Sequence, residues 1–304
     1  MKKISICIPV LNEEENIKNI YDNITNLFKN TLSNYDYEII FTDNHSQDNT
    51  QKITSEIASS DKKVKYLRFR NNLLYDKSIL EAYKHADGDS AIVLDADLQD
   101  PPELIKEFIK KWEGGYDLVY GVRSKRKESH IFGKLRKLYY KIINLNSPIN
   151  YPLDAGGFRL IDRSIIERLS SIKNLYPYIR GLTFSFSKKS LGVEYLREPR
   201  ARGKSKLGIY NTFTYALNAL FEETILFTKI LRKASLFLSL AISAFTILNL
   251  IFSFKFLSLS FNLIFIILIG IFFGISLILE YITRIYFHLK QSEVEIYETK
   301  INLK

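Results

Sequence analysis

Two long stretches without a charged side chain, Ala234 to Phe254 and Phe256 to Leu279, constrain this chain more than any other feature. Each reaches the ~20 residues that an α-helix needs to cross the hydrocarbon core of a bilayer. A helix of that length in a water-soluble core would carry a polar face, and neither stretch has one. Only Lys255 separates them, so the pattern predicts a membrane hairpin with a very short turn near Lys255 to Ser260. Lys229, Arg232 and Lys233 precede the first stretch, and Arg284, His288 and Lys290 follow the second. By the positive-inside rule both ends face the cytoplasm, and the sequence before the hairpin is expected there too. The expected location is the cytoplasmic (inner) membrane, spanned more than once.

The rest of the chain reads as globular. Hydrophobic residues make up 46% and charged residues 25% of the 304, which argues against disorder. Lys and Arg number 43 against 33 Asp and Glu, and the net charge of +10 favours anionic partners: phosphates, an anionic membrane or nucleic acid. The single cysteine, Cys7, excludes an intrachain disulfide and a cysteine-based zinc site. It alternates with apolar residues in ISICIPV and is expected as a buried thiol. MKKISICIPVL contains Pro9 and runs straight into an acidic segment, so a buried first strand fits better than a signal peptide.

Short apolar runs alternate with amphipathic segments up to about residue 122. Strands are expected at Ile4–Pro9, Tyr37–Thr42, Val64–Arg68, Ile92–Leu94, Leu118–Val122 and, further on, Leu191–Leu196. Between them, helical spacing appears over Glu14–Phe28, around Ile53 and Ile57 with Ser46 or Asp48 as cap, over Ile79–His85, and after Pro102. This β-α-β alternation predicts an α/β sandwich with a mostly parallel sheet. Parallel sheets bind ligands beyond the carboxyl ends of their strands, which is where Asp43 and Asp95 fall.

From His130 the pattern changes. Lys134, Arg136, Lys137 and Lys141 interleave with Ile131, Phe132, Leu135, Leu138 and Ile142. Two readings of this basic amphipathic helix stand side by side: packing on the sheet, or lying at a membrane surface. Tyr210 to Phe227 is a second amphipathic segment, leading into the hairpin. The expected organisation is a catalytic domain over 1–208, an interface segment over 209–233, the hairpin region over 234–290 and a cytoplasmic tail over 291–304.

The strongest local signal is Asp95-Ala96-Asp97-Leu98-Gln99-Asp100-Pro101-Pro102. Two carboxylates one residue apart, just past a buried strand, can share one hard cation, and Gln99 can add a neutral oxygen. Mg2+ and Mn2+ favour such sites, often completed by substrate phosphates. The alternative is an acidic turn before the next helix. After the first strand, Pro9-Val10-Leu11-Asn12-Glu13 lacks the glycines of a dinucleotide-binding turn. Gly203-Lys204-Ser205 superficially matches the end of a P-loop, but Glu198 occupies the required upstream glycine position. Arg123 and Arg126 follow the fifth strand and could reach a phosphate; the alternative is a solvated basic loop.

IPVLNEEENI, TDNHSQDNT and DADLQDPPELI together resemble the family 2 glycosyltransferases. YGVRSKR, DAGGFRLIDR, PRARGKSKLG and LEYITRIY are similar to their polyprenyl-phosphate glycosyltransferase branch, which includes bactoprenol glucosyltransferases and, more distantly, dolichol-phosphate mannose synthases. The resemblance implies a GT-A nucleotide-sugar-binding fold and inverting, metal-dependent transfer of a hexose from a nucleotide diphosphate sugar, UDP-linked, to polyprenyl phosphate. Pro9, Asn12 and Glu13 then line the nucleotide pocket and Asp43 accepts a hydrogen bond from the uracil ring. Asp95, Asp97 and Gln99 hold the Mg2+ or Mn2+ at the diphosphate, Asp97 and Asp154 serve the reacting centre, and Arg200, Ser205 and Lys206 match a phosphate clamp, R-x-x-G-x-S-K.

This chain departs from the branch at Asn44, where many relatives have a second Asp. It lacks a glycine over 71–77, and it has Gly157 where several relatives carry an acid or another polar side chain. The identity of the sugar is therefore open, and Asp154 is either a reacting-centre group or an acid that caps a turn or pairs with Arg159.

A lipid monophosphate has a second pKa of ~6 and is mostly a dianion at neutral pH. It needs charge neutralisation and aim more than a general base. A processive polysaccharide synthase would carry Q-x-x-R-W, whereas the only tryptophan here, Trp112, follows Lys110-Lys111. The alternatives are transfer to a non-lipid saccharide or protein, and a non-catalytic membrane scaffold. Basic residues near the membrane and acids at a sheet edge suit a nucleotide sugar and membrane lipid, and no nucleic-acid partner is expected. The oligomeric state, including a homo-oligomer, is open.

Overall fold

The computed structural model describes residues 1–124, 130–146, 152, 155–172, 177–199 and 297–303, with isolated positions between 217 and 285. Its first part alternates β1 (Lys3–Val10), α1 (Ile17–Asn30), β2 (Asp36–Asp43), α2 (Thr50–Ser60) and β3 (Val64–Phe69). It continues through α3 (Tyr75–Lys84), β4 (Ser90–Val93), α4 (Leu104–Glu113), β5 (Leu118–Arg123) and α5 (His130–Asn146). Then come β6 (Ala155–Asp162), α6 (Arg163–Ser170), α7 (Ile179–Phe186), β7 (Ser190–Tyr195) and, far downstream, β8 (Tyr297–Ile301).

The strands form one sheet in the order β7-β5-β6-β4-β1-β2-β3-β8. Side chains alternate between its faces because successive Cβ atoms in a strand point opposite ways. Ile4, Ile6, Ile8 and Val10 of β1 pack with Ile17, Ile20, Ile24 and Phe28, the apolar stripe of α1, and with Ile105 and Phe108 of α4. Cys7 points to the other face, with Ile79, Leu80 and Tyr83 of α3 and Ile165 and Leu169 of α6. Both faces are covered, so β1 is buried along nearly its whole length, as the expected parallel α/β sandwich requires.

β1 pairs in parallel with β2 and β4, β2 with β3, and β5 with β7. The chain winds outward from β1 to β3, then returns to place β4 on the opposite side of β1. That reversal is a topological switch point, where open α/β sheets leave a crevice at the carboxyl ends of their strands.

Three local expectations change. Ser46 does not cap α2; its hydroxyl accepts from Asn12 N (2.8 Å), while Asp48 Oδ1 accepts from Thr50 N (3.0 Å). β6 was not legible as a strand, because two glycines follow its first residue and it carries Arg159. It is antiparallel to both β4 and β5. β8, read only as tail, is an antiparallel edge strand on β3. The expected hairpin and the segment Tyr210–Phe227 lie outside the described residues apart from isolated positions. Among the described residues, no helix is long and apolar enough to cross a membrane.

One buried acid knits the amino-terminal edge of the sheet. Glu38 Oε1 accepts from Ser5 Oγ (2.6 Å) and Asp87 N (2.7 Å), and its Oε2 lies 2.8 Å from Lys3 Nζ and 3.0 Å from Lys65 Nζ. Burial opposes its ionisation, but the bonds from Lys3, Ser5, the Asp87 amide and Lys65 outweigh burial and hold the carboxyl below its ordinary 4.5. A depressed folded pKa contributes stability that is present above the unfolded value and lost as pH falls through the folded one. The full chain in detergent should therefore lose stability as pH falls below about 4.5. Glu38→Gln should be ~2 kcal/mol less stable at neutral pH and show a shallower acid decline. Equal acid slopes for the two proteins in denaturant titrations would contradict this role.

Candidate active site

Parallel pairing brings the carboxyl ends of β1, β2 and β4 to one edge of the sheet. β6 is antiparallel to β4, so its amino-terminal end lies at that edge, and β5 and β7 end there as well. Residues far apart in sequence thus meet: Asn12, Asp43, Asp95, Asp97, Arg123 and Arg197.

The acidic loop after β4 is the centre of charge. Tyr75 Oη donates to Asp95 Oδ1 (2.7 Å), and Arg197 Nη2 lies 3.7 Å from Asp95 Oδ2. Burial, then the charges of Asp100 and Asp97, push the Asp95 carboxyl up to about 6, against the opposing pull of Tyr75 and Arg197. Asp97 is buried, and its Oδ1 accepts from Gln99 N (3.1 Å). Between them Leu98 sits in the left-handed region (φ 55°), a costly conformation for a bulky side chain that the surrounding contacts must hold. Gln99 donates its amide to Glu198 O (3.2 Å), and Glu198 N donates to Gln99 O (2.9 Å). The loop is thereby stitched to the segment following β7. Asp100, fully buried, accepts from Tyr195 Oη and from Arg197 Nε (3.1 Å).

These oxygens fit a hard divalent cation. Asp95, Asp97 and Asp100 are crowded enough to raise one carboxyl, and Asp100 Oδ2 is buried with no hydrogen-bond partner among the described residues. Among the described residues no group of three or more His, Cys, Asp and Glu is placed to hold a metal ion by itself. The arrangement suits a cation completed by ligand oxygens, as Mg2+ commonly is.

The turns after β1 and β2 interlock. Asn12 N donates to Ser46 Oγ, Asn12 Oδ1 accepts from Gln47 N (2.6 Å), and Glu13 N donates to Thr50 Oγ1 (2.8 Å). Asn12 and His45 adopt positive φ (52° and 66°) to make these turns. Pro9 is a buried strand residue; pairing with β4 stops at Cys7, two residues before this position that has no N–H to give. Asp43 is fully buried. Its Oδ1 accepts from Ser46 N (2.8 Å), and its Oδ2 accepts from Tyr66 Oη (2.7 Å) and Arg68 Nη1 (2.9 Å). Three of the roughly four acceptor positions of a carboxylate are thus filled from within the fold.

Arg123 ends β5, with its Nε 3.5 Å from Tyr195 Oη. Arg126, Asp154, Arg200, Ser205 and Lys206 lie outside the described residues. Arg159, considered as a partner for Asp154, is buried and donates to the carbonyls of Gly156 (2.8 Å), Gly157 (3.3 Å) and Arg180 (3.4 Å), and to Thr183 Oγ1. A Cβ added at Gly157 would lie 3.0 Å from Tyr75 Oη. Gly157 therefore leaves room for the tyrosine that holds Asp95.

Tyr75, Asp100, Tyr195 and Arg197 escaped the reading of the sequence. Asp100 had a signal in its nearness to Asp95 and Asp97. Tyr75 had none, since NNLLYDK looks like an ordinary loop entering a helix.

Residues 5–170 match the model of glycosyl transferase family 2, and the chain belongs to that family. It is 37% identical to the glycosyltransferase YkcC of Bacillus subtilis (strain 168) over 66% of this chain, and it spans 62% of that relative's length. It is 32% identical to the prophage bactoprenol glucosyl transferase homolog of Escherichia coli (strain K12), over 72% of this chain and 71% of that one. Among solved structures, glucosyl-3-phosphoglycerate synthase from Mycobacterium tuberculosis, in complex with Mn2+, UDP and glucosyl-3-phosphoglycerate, aligns over 72% of this chain and 77% of its own. Identity is 18% and the TM-score is 0.46.

Tyr75→Phe removes one hydroxyl and keeps the ring. If that hydroxyl positions Asp95, sugar transfer should fall about 10-fold or more, with the unfolding midpoint unchanged. Transfer within about twofold of the parent would show that Asp95 needs no such support.

Proposed function

We propose that this protein transfers a hexose, with inversion, from a UDP-linked sugar to polyprenyl phosphate at the cytoplasmic face of a membrane. The observation that carries the reading is the meeting of Asp95 and Asp97 with Arg123 and Arg197 at one switch-point crevice. An acidic pair beside two arginines suits a diphosphate held through a cation, next to a second phosphate held by guanidinium groups. Membership of glycosyl transferase family 2 supports the reaction class. The similarity to a bactoprenol glucosyl transferase homolog supports a lipid acceptor.

In this reading the β1 and β2 turns, Asn12 to Glu13 and Asp43 to Gln47, receive the nucleotide. Asp95 and Asp97, with the amide oxygen of Gln99, hold Mg2+ or Mn2+. When bound, such a cation neutralises the charge that grows on the departing diphosphate. Tyr75 and Arg197 keep Asp95 aimed. Arg123 and Arg197, with Arg126, Arg200, Ser205 and Lys206, orient the acceptor phosphate. One of its oxygens bonds to the anomeric carbon as the bond from that carbon to the nucleotide diphosphate breaks. The acceptor is already a dianion near neutral pH, so no side chain need remove a proton. Asp154 then serves to orient the sugar or a basic group.

Membrane placement has its own support. α5 leaves Leu135, Leu138 and Leu145 exposed (55%, 53% and 70%), beside exposed Lys134, Lys137 and Lys141. Apolar and lysine side chains together on a helix suit a headgroup boundary. The uncharged stretches 234–254 and 256–279 then form the hairpin, with the catalytic domain and the tail on the cytoplasmic side.

The direct test offers purified chain in detergent a panel of radiolabelled nucleotide sugars with polyprenyl phosphate. Sugar should appear in the lipid fraction, excess chelator should abolish it, and Asp97→Asn should lower it ~100-fold or more without unfolding. Full activity in chelator overturns the metal role; label that never enters lipid overturns the acceptor.

Topology is tested with cysteines placed at Ser258 and Ser292. The one native thiol, Cys7, is fully buried and pushed up in pKa by that burial, so it contributes little background. An impermeant maleimide on intact cells should label position 258 and spare 292. Labelling at 292 contradicts the hairpin.

A further inference from the structure

The carboxy-terminal strand reaches back to the turn proposed to receive the nucleotide. β8 pairs antiparallel to β3, with Thr299 opposite Arg68 and Tyr297 opposite Phe69. It is docked at both ends by side chains. At one end Tyr297 Oη donates to Glu81 Oε2 (2.6 Å) and lies 3.1 Å from His85 Nε2, and the Tyr297 carbonyl accepts from Arg70 Nε (3.1 Å). At the other end Asn302, at a positive φ of 59°, donates its amide to the carbonyls of Val64 (2.8 Å) and Ala58.

Between the anchors stands one charged relay. Glu298 Oε2 accepts from Arg68 Nε (2.9 Å). The same guanidinium donates from Nη1 to Asp43 Oδ2 (2.9 Å) and to the Ser46 carbonyl (3.1 Å). The Ser46 hydroxyl in turn receives the Asn12 amide (2.8 Å). Arg68 is almost completely buried, whereas Glu298 is about half exposed (45%). A guanidinium held on separate nitrogens by partners from different elements cannot swing, and its planar fork transmits that fixity to both. His45, whose Nδ1 is 3.7 Å from Glu298 Oε2, is the other titratable group facing this carboxylate.

We propose that β8 is a positioning element for the donor site: Glu298, through Arg68, fixes Asp43 and the 43–47 turn, and so sets affinity for the nucleotide of the sugar donor. The inference rests on the nucleotide-sugar reading of this site. It makes the segment that follows the expected membrane hairpin part of the donor-binding machinery, although it touches neither the reacting atoms nor the acidic loop.

The test uses the full chain in detergent and compares Glu298→Gln, Lys300→Gln and a chain ending at residue 295. Lys300 lies on the same strand with its ammonium over the Tyr297 ring (4.1 Å) rather than on Arg68, so its variant controls for a change of charge on the tail and for loosening of the Tyr297 anchor without breaking the relay. Donor KM and equilibrium UDP affinity, measured by calorimetry, should weaken on the order of two- to fivefold in Glu298→Gln. They should weaken further in the shortened chain. The maximal rate, the acceptor KM and the unfolding midpoint should stay at parent values in Glu298→Gln, and Lys300→Gln should match the parent throughout. A role confined to stability would lower the midpoint and leave donor KM unchanged, which overturns the proposal. Parent-like UDP affinity in both Glu298→Gln and the shortened chain overturns it as well. A parent protein that binds no nucleoside diphosphate overturns the donor reading itself, and this inference with it.

Discussion

The parallel pairing of β1 with β2 on one side and β4 on the other is the constraint on which the rest depends. It obliges three strands to end at the same edge, and it forces the chain to reverse direction of winding between them. Such a reversal is where open α/β sheets leave a crevice at the carboxyl ends of their strands. Every acidic and polar group of the candidate site is carried on a segment that leaves this edge. Burial of both sheet faces supports a strained loop at this edge, with Leu98 kept at positive φ directly after Asp97.

Like charges gathered in one place need counterweights. Asp95 and Asp97 are joined by Asp100, and the structure answers with Tyr75, Tyr195 and Arg197. The counterweights come from α3, β7 and the segment after it, so the acidic loop ties both halves of the sheet together. The interaction of Gln99 with Glu198 extends that tie toward Arg200, the first residue of the proposed acceptor clamp. In the proposed reaction Arg197, which contacts both Asp95 and Asp100, is the side chain that joins the donor and acceptor ends.

On the far side of the sheet, the return of β8 closes a long loop in the chain. More than a hundred residues separate β7 from β8, yet β8 adds to the strand beside the nucleotide turn. In the membrane reading proposed above, a hairpin between them would be linked to the sheet at two places, through β7 and through β8, and two attachments would restrict how the sheet edge sits relative to a bilayer.

The sequence by itself determined the class of architecture, the membership in family 2, the first five strands and β7, and the acidic pair. Those signals are local: apolar runs of strand length, helical spacing in α1 and α4, and carboxylates at a strand end. It also marked Asn12 and Asp43 as strand-end residues. Only tertiary structure decided the rest. β6 and β8 join the sheet because neighbouring strands offer them hydrogen-bonding edges; AGGFRLID has no clear alternation of apolar and polar side chains, and YETKI alternates but is too short and too far downstream for spacing alone to place it beside β3. Tyr75, Arg197 and Arg68 acquire their roles from partners 20 or more residues away, a relation that spacing along a chain does not encode. Asp43 shows the difference most plainly. Its position at the end of a strand was legible, but its enclosure by Ser46, Tyr66 and Arg68, with Glu298 behind the arginine, exists only once the sheet has assembled around it.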